Sequence, residues 1–162
     1  MHTQVRLATA FAACALVGAL AGTASADAQA LSPYDVQNPA VGNLEPQLLA
    51  AVQQAATAAA GDGITMTITS GWRSPEFQQQ LLDDAVATYG SVAAALQYVQ
   101  IPQRSRHVQG RAVDIGGADA DQWLIAHGAG FGLCQIYANE LWHFELATDS
   151  AGNCPALLPS AA

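Results

Sequence analysis

Apolar and polar positions change period several times along this chain, and each change marks an element. From Leu7 to Ala21 the sequence is almost wholly apolar. That run is short and alanine-rich for a bilayer span of about 20 residues. Further on, Leu44, Leu48, Val52, Ala55 and Ala59 fall on one helical stripe, predicting a helix capped by Asn43, running to about Ala60 and stopped at Gly61. The period then drops to two. Ile64, Met66 and Ile68 alternate with Thr65, Thr67 and Thr69, the pattern of a half-buried strand. This strand runs straight into Ser70-Gly71-Trp72-Arg73-Ser74-Pro75. Ser74 followed by Pro75 is a helix start, a side-chain cap and then a ring preset for the first helical position. The helix is expected to reach Tyr89, with Phe77, Leu81, Ala85 and Tyr89 inward and Gly90 as its stop.

Beyond Gly90 the elements shorten. A brief helix is expected within Ser91–Val99, loop over Pro102–Gly110 and a strand over Arg111–Ile115. Asp119 or Asp121 would cap a helix carrying Trp123 and Leu124 that ends near Gly128, and Leu133–Tyr137 with Leu141–Leu146 would form a hairpin. Helices mixed with short strands, without a regular βαβ series or internal repeat, place the fold in the α+β class.

Composition sharpens this picture. Arg6 and His2 precede the first apolar run, and Ala24-Ser25-Ala26 and Ala28-Gln29-Ala30 follow it. Together they read as a secretory signal peptide over residues 1–30, cut after Ala26 or Ala30. Residues 31–43, with Pro33, Pro39 and Gly42, read as a linker or arm next to the leader, and residues 44–162 as one domain. The chain of 162 residues has a formal net charge of −8, and its five basic residues are all arginine. An acidic chain lacks the basic face that phosphate backbones need, which excludes nucleic acid as a partner. After leader removal no segment is suited to membrane insertion, and a secreted monomer is expected. Cys134 and Cys154 are the cysteines left after the leader. In an oxidising compartment a disulfide between them is favoured over a pair of zinc-binding thiolates, since no CxxC accompanies them.

The chemistry gathers late in the chain. Ser105-Arg106-His107-Val108-Gln109-Gly110-Arg111-Ala112-Val113-Asp114 sets an imidazole and a carboxylate seven residues apart, and His143 follows. Two histidines and a carboxylate form the protein ligand set of a catalytic Zn2+ ion with one position open to water. Asp114, between Val113 and Ile115, is expected to be buried, which is costly for a carboxylate without a partner or metal. Glu140 and His143 would point to opposite faces of a regular strand. Glu140 is therefore expected in the preceding turn, overhanging the metal as general base. Glu145 shares the face of His143 and is either its orienting partner or a surface acid. Arg73, at the end of a strand, could clamp a carboxylate or an oxyanion. His127 fits a helix C-terminus rather than a metal site.

Ser70-Gly71-Trp72-Arg73-Ser74, Ser105-x-His107-x-x-Gly110-x-Ala112-x-Asp114 and Glu140-x-Trp142-His143, in that order, resemble the VanY-type zinc D,D-carboxypeptidases. That family is grouped with the VanX dipeptidases and the Hedgehog-like fold. The resemblance extends from about Leu48 to Glu145. It implies a small single domain with a mostly antiparallel sheet and zinc in an open groove. It further implies His107, Asp114 and His143 as ligands, Glu140 as base, and Arg73 on the scissile carbonyl or the polarised intermediate. Ser105 and Gln78 would line the substrate groove. The implied substrate is the peptidoglycan stem peptide, cut at its terminal D-Ala-D-Ala bond. Trp72, Arg106 and Leu141 stand where tyrosine, glutamate and proline are common in the family. None is a ligand, but Arg106 and Leu141 could alter which peptide end fits. Two alternatives remain open: an endopeptidase with the same site, and a zinc-containing wall-binding module without catalysis.

Overall fold

The computed structural model describes residues 30–162. The leader expected over residues 1–30 therefore lies, Ala30 apart, outside the described residues. No helix among the described residues is long and apolar enough to cross a membrane.

Four strands form one antiparallel sheet: β1 (Thr67–Ser70), β2 (Ala112–Gly116), β3 (Leu133–Gln135) and β4 (His143–Leu146), in the order β1-β2-β4-β3. Helix α2 (Pro46–Gly61) supplies the largest apolar face. Its Leu48, Ala51, Val52, Ala55, Ala56 and Ala59 are buried and share one core with Ile68, Val113, Ile115 and Phe144 of the sheet. The α+β class and the antiparallel sheet expected from the sequence are both present.

Several local details differ from the sequence reading. The α2 helix begins at Pro46, with Glu45 rather than Asn43 at its cap. Proline is preset for a first turn, so it fixes the start. The side chain that caps is Asn38, on a short helix α1 (Pro39–Gly42). The 31–43 stretch, expected to be a linker, is packed on the domain: Leu31 exchanges backbone hydrogen bonds with Ile68, and Val41 is fully buried. Helix α3 (Pro75–Tyr89) has the anticipated Ser74 cap and a left-handed Gly90. Its buried face differs in part: Ala85 points inward as expected, but Gln78 and Leu82 are buried beside it, while Phe77 and Tyr89 are half exposed. The apolar stripe was read one position out of phase, because the inward Gln78 is polar. After α4 (Val92–Ala95), helix α5 (Ala118–His127) starts from Gly117 with no side-chain cap. Asp119 and Asp121 lie in its first turn, where their charge opposes the positive end of the helix dipole.

Cys134 of β3 is bonded to Cys154 of the tail. The bridge spans a sequence separation of 20 and encloses Glu140 and His143. Closing a loop of that length stabilises a fold by about 3 kcal/mol in the chain-entropy account. Thiol reduction should therefore lower the unfolding free energy by about that amount, read as an earlier midpoint in urea with and without reductant. Equal midpoints would show that the bridge contributes nothing to stability.

Candidate active site

Strand register assembles the site. Across the sheet, Ser70 of β1 pairs with Asp114 of β2, and Asp114 pairs with His143 of β4. Three consecutive strands thus present their polar residues in one row, with Asp114 at the centre. His107 comes from the loop before β2. Gly110 closes that loop at φ +69°, and a Cβ there would lie 2.6 Å from the carbonyl oxygen of Asn43. Only glycine meets both conditions, so the spacing from His107 to Asp114 has a backbone cause.

His107, Asp114 and His143 are buried, and each offers one ligand atom within 4.8 Å of the others. Asp114 Oδ1 lies 3.3 Å from His107 Nε2 and 3.1 Å from His143 Nδ1. The remaining ring nitrogens face acceptors. His107 Nδ1 is 2.8 Å from the Gly71 carbonyl, and His143 Nε2 is 3.1 Å from Glu145 Oε1. With their other nitrogens facing these acceptors, His107 Nε2 and His143 Nδ1 are both turned to the centre of the cluster, the atoms through which a metal would be held. Glu145 therefore orients His143, and its other oxygen accepts from Arg106 Nε at 2.7 Å.

Electrostatics separate the groups. Burial pushes the His107 pKa down against the opposing pull of Asp114, so the ring is neutral. Burial also disfavours a charged His143, but hydrogen bonds to Asp114 and Glu145 outweigh it and raise its pKa to about 9. Asp114, despite burial, is held far below the usual carboxylate range by the two histidines. Glu140 behaves oppositely. Desolvation, reinforced by Asp114 and opposed by His143 and Arg73, pushes it up to about 7. It lies in the turn before β4, its Oε2 is 3.8 Å from His143 Nδ1, and its buried Oε1 has no hydrogen-bond partner. A carboxylate near neutrality with one oxygen free can accept or return a proton.

Arg73 follows β1 and is fully braced. Its Nε donates to Ser70 Oγ at 2.8 Å, one terminal nitrogen to Gln78 Oε1 at 3.2 Å and the other to Asp114 Oδ2 at 3.1 Å. Gln78 is a buried node: its oxygen also accepts from Ser105 Oγ at 3.1 Å, and its amide donates to the Gln100 carbonyl at 2.8 Å. Ser105 lines the cleft, whereas Gln78, expected to line it, is buried behind that wall and bonds both Arg73 and Ser105. His127 is remote from the cluster, stacked on Trp123 with its Nδ1 at the Trp123 carbonyl.

The cleft has a volume of about 230 Å³ and also exposes groups that sequence reasoning did not single out. Tyr137 lies with its ring 5.0 Å from that of His143. Burial, with Glu145 and Glu140 nearby, raises its pKa, so the phenol stays a donor at neutral pH. Ala161 of the tail forms part of the wall, and its carbonyl accepts from the Gln100 side chain. No local pattern could have placed the tail there; it arrives by pairing Leu158 with residues 136–138.

Comparison with known proteins agrees with this geometry. A D-alanyl-D-alanine carboxypeptidase of Enterococcus faecalis is 29% identical over 140 residues, covering 69% of this chain. The chain spans 52% of that protein's length. The solved vancomycin-resistance D,D-pentapeptidase VanY of a VanB-type cassette, in complex with Zn(II), is 29% identical with a TM-score of 0.59, covering 63% of this chain and 71% of its own. The complex of VanYB with D-alanine-D-alanine gives a TM-score of 0.62 at 26% identity, covering 67% of this chain and 74% of that one. The family model of VanY, D-alanyl-D-alanine carboxypeptidase, matches residues 42–148. That span holds the whole sheet and all three ligand positions, so the likeness extends to the site itself, and the chain belongs to the VanY D-alanyl-D-alanine carboxypeptidase family.

Proposed function

We propose that this chain is an exported zinc peptidase that hydrolyses the C-terminal D-Ala-D-Ala bond of peptidoglycan stem peptides. The observation that carries the reading is Glu140: a buried acid with a free oxygen, poised near neutrality, beside a His107–Asp114–His143 cluster on the floor of a cleft. The donor set suits zinc, because two imidazole lone pairs and one carboxylate oxygen converge while their other atoms are occupied by Gly71, Glu145 and Arg73. When bound, zinc supplies a Lewis acid that polarises a carbonyl and acidifies water. Glu140 takes the proton of the attacking water and returns it to the leaving amine. The Arg73 guanidinium, fixed by three partners, faces the negative charge that develops on the carbonyl oxygen. Ser105 orients the peptide at the wall, and Gln78 keeps both of these groups in place. Export is supported by the leader pattern and by a disulfide.

The test is direct. Purified protein is mixed with a pentapeptide ending in D-Ala-D-Ala, and free D-alanine is measured before chelation, after chelation and after zinc is restored. The reading expects release that stops with chelator and returns with zinc. No metal-dependent release from any stem peptide would refute it.

Zinc affinity should also depend on pH. With a pKa of about 9, His143 carries a proton at neutrality in the metal-free site. Binding at Nδ1 must expel that proton, so affinity should rise by about tenfold per pH unit below that value. Competition with a chelator of known affinity at several pH values, corrected for the chelator's own protonation, reads this slope. A flat profile would show that His143 is not protonated in the metal-free site at neutral pH.

A further inference from the structure

The cleft is lined by three of the chain's five arginines, in a protein of net charge −8. Two of them are neutralised locally, Arg73 by Asp114 and Arg106 by Glu145. Arg104 differs. Its side chain is exposed at the cleft and, among the described residues, makes no ion pair or side-chain hydrogen bond. Its backbone is nonetheless fixed. The amides of Arg104 and Ser105 both donate to the Ile101 carbonyl at 3.0 Å, and the next side chain, Ser105, is tied to Gln78. A cation held at the mouth of a site without a counter-charge, in an otherwise acidic chain, is arranged to meet an anion brought by the ligand.

We propose that Arg104 is a specificity-determining residue that binds a carboxylate of the peptide substrate. The carboxylate has two possible sources, the peptide's C-terminus or an acidic residue further from the scissile bond, and both present the same planar, bidentate acceptor. The inference rests on the peptidase reading for its substrate class, but not on turnover for its test.

The experiment uses the zinc-loaded full chain carrying Glu140→Gln, so that bound peptide persists, with and without Arg104→Gln. Three peptides ending in D-Ala-D-Ala are titrated by calorimetry: one with a free terminus and one interior carboxylate, one amidated at the terminus, and one amidated at the interior acid. Without Arg104→Gln, one of the amidated peptides should bind roughly 3- to 10-fold more weakly than the free one, between the effects of an exposed ion pair and a charge-assisted hydrogen bond. Arg104→Gln should erase that preference. The peptide whose penalty disappears names the source. The preference should also shrink as salt rises. Arg111→Gln, which removes the same charge from a residue paired with Glu45 outside this cleft, should leave the preference intact. If Arg104→Gln binds all three peptides in the same ratios as the parent, the proposal is overturned. Failure of the peptidase reading is seen separately, as absence of metal-dependent D-alanine release by the unsubstituted protein.

Discussion

Glu140→Gln should lower kcat by roughly 10³-fold, within the range lost with a general acid–base group, while the protein keeps its zinc and its fold. The substitution preserves shape and removes the capacity of this side chain to take up and release a proton. Three observations separate this group from the ligands. Its nearer oxygen is 3.8 Å from His143 Nδ1, outside the Asp114-centred cluster. Its other oxygen is buried without a partner. Its pKa is raised to about 7, whereas that of Asp114 is driven down. Two carboxylates thus share one site with opposite electrostatics: Asp114 is held as an anion, suited to a cation, whereas Glu140 titrates near neutrality, as the proposed base requires. Stability should hold or rise slightly, because an acid whose charged form is disfavoured by burial is removed. Metal content by elemental analysis, together with D-alanine release, reads both halves. Zinc retained with activity within tenfold of the parent would move the base elsewhere, and Tyr137 would be the next group in the cleft to test.

How much of this was legible in the sequence depended on whether the signal was local. Helix α3 was readable at both ends, because Ser74-Pro75 and Gly90 are stereochemical signals independent of the rest of the fold. The convergence of His107, Asp114 and His143 was readable because Gly110 holds a place only glycine fits and Ala112 and Asp114 follow it buried at fixed spacing. The phase of α3 was not readable from apolar periodicity. Its most buried side chain is Gln78, whose polarity is satisfied by Arg73, Ser105 and Gln100, residues from 5 to 27 positions away. The role of Glu145 was equally non-local. It stayed undecided between surface acid and orienting partner until Arg106, 39 residues earlier, was seen to engage its second oxygen. The packing of residues 31–43, expected as a linker or arm, was hidden for a related reason. Prolines and glycine mark irregular backbone, and irregular backbone can still be packed, as Val41 is. Local stereochemistry carried into the structure; long-range polar partnerships did not announce themselves.

The other large effect is expected at Asp114. Asp114→Asn should lower zinc affinity by well over about 100-fold, since even residues that merely support a ligand cost 10- to 100-fold, and peptidase activity should fall to background. The reason reaches beyond one lost ligand oxygen. Asp114 Oδ1 organises both histidines, and its Oδ2 is the counter-charge of the mostly buried Arg73. An amide cannot neutralise that guanidinium, and its NH₂ group would oppose either a donor on Arg73 or the metal itself. Removing one member of a buried pair costs about 3–5 kcal/mol. Metal-free Asp114→Asn protein should therefore unfold at clearly lower denaturant than metal-free parent. The pH profile gives a sharper check. In the parent, Asp114 has its pKa depressed on folding, so its contribution to stability is present above the ordinary carboxylate pKa and fades as acid protonates it. The variant lacks that contribution at every pH. The stability gap between the two metal-free proteins should thus be widest near neutrality and narrow progressively below about pH 4, the unperturbed carboxylate value. Chemical denaturation at pH 7, 4 and 3 measures it. A gap that stays constant across that range would mean that Asp114 acts through packing rather than through its charge.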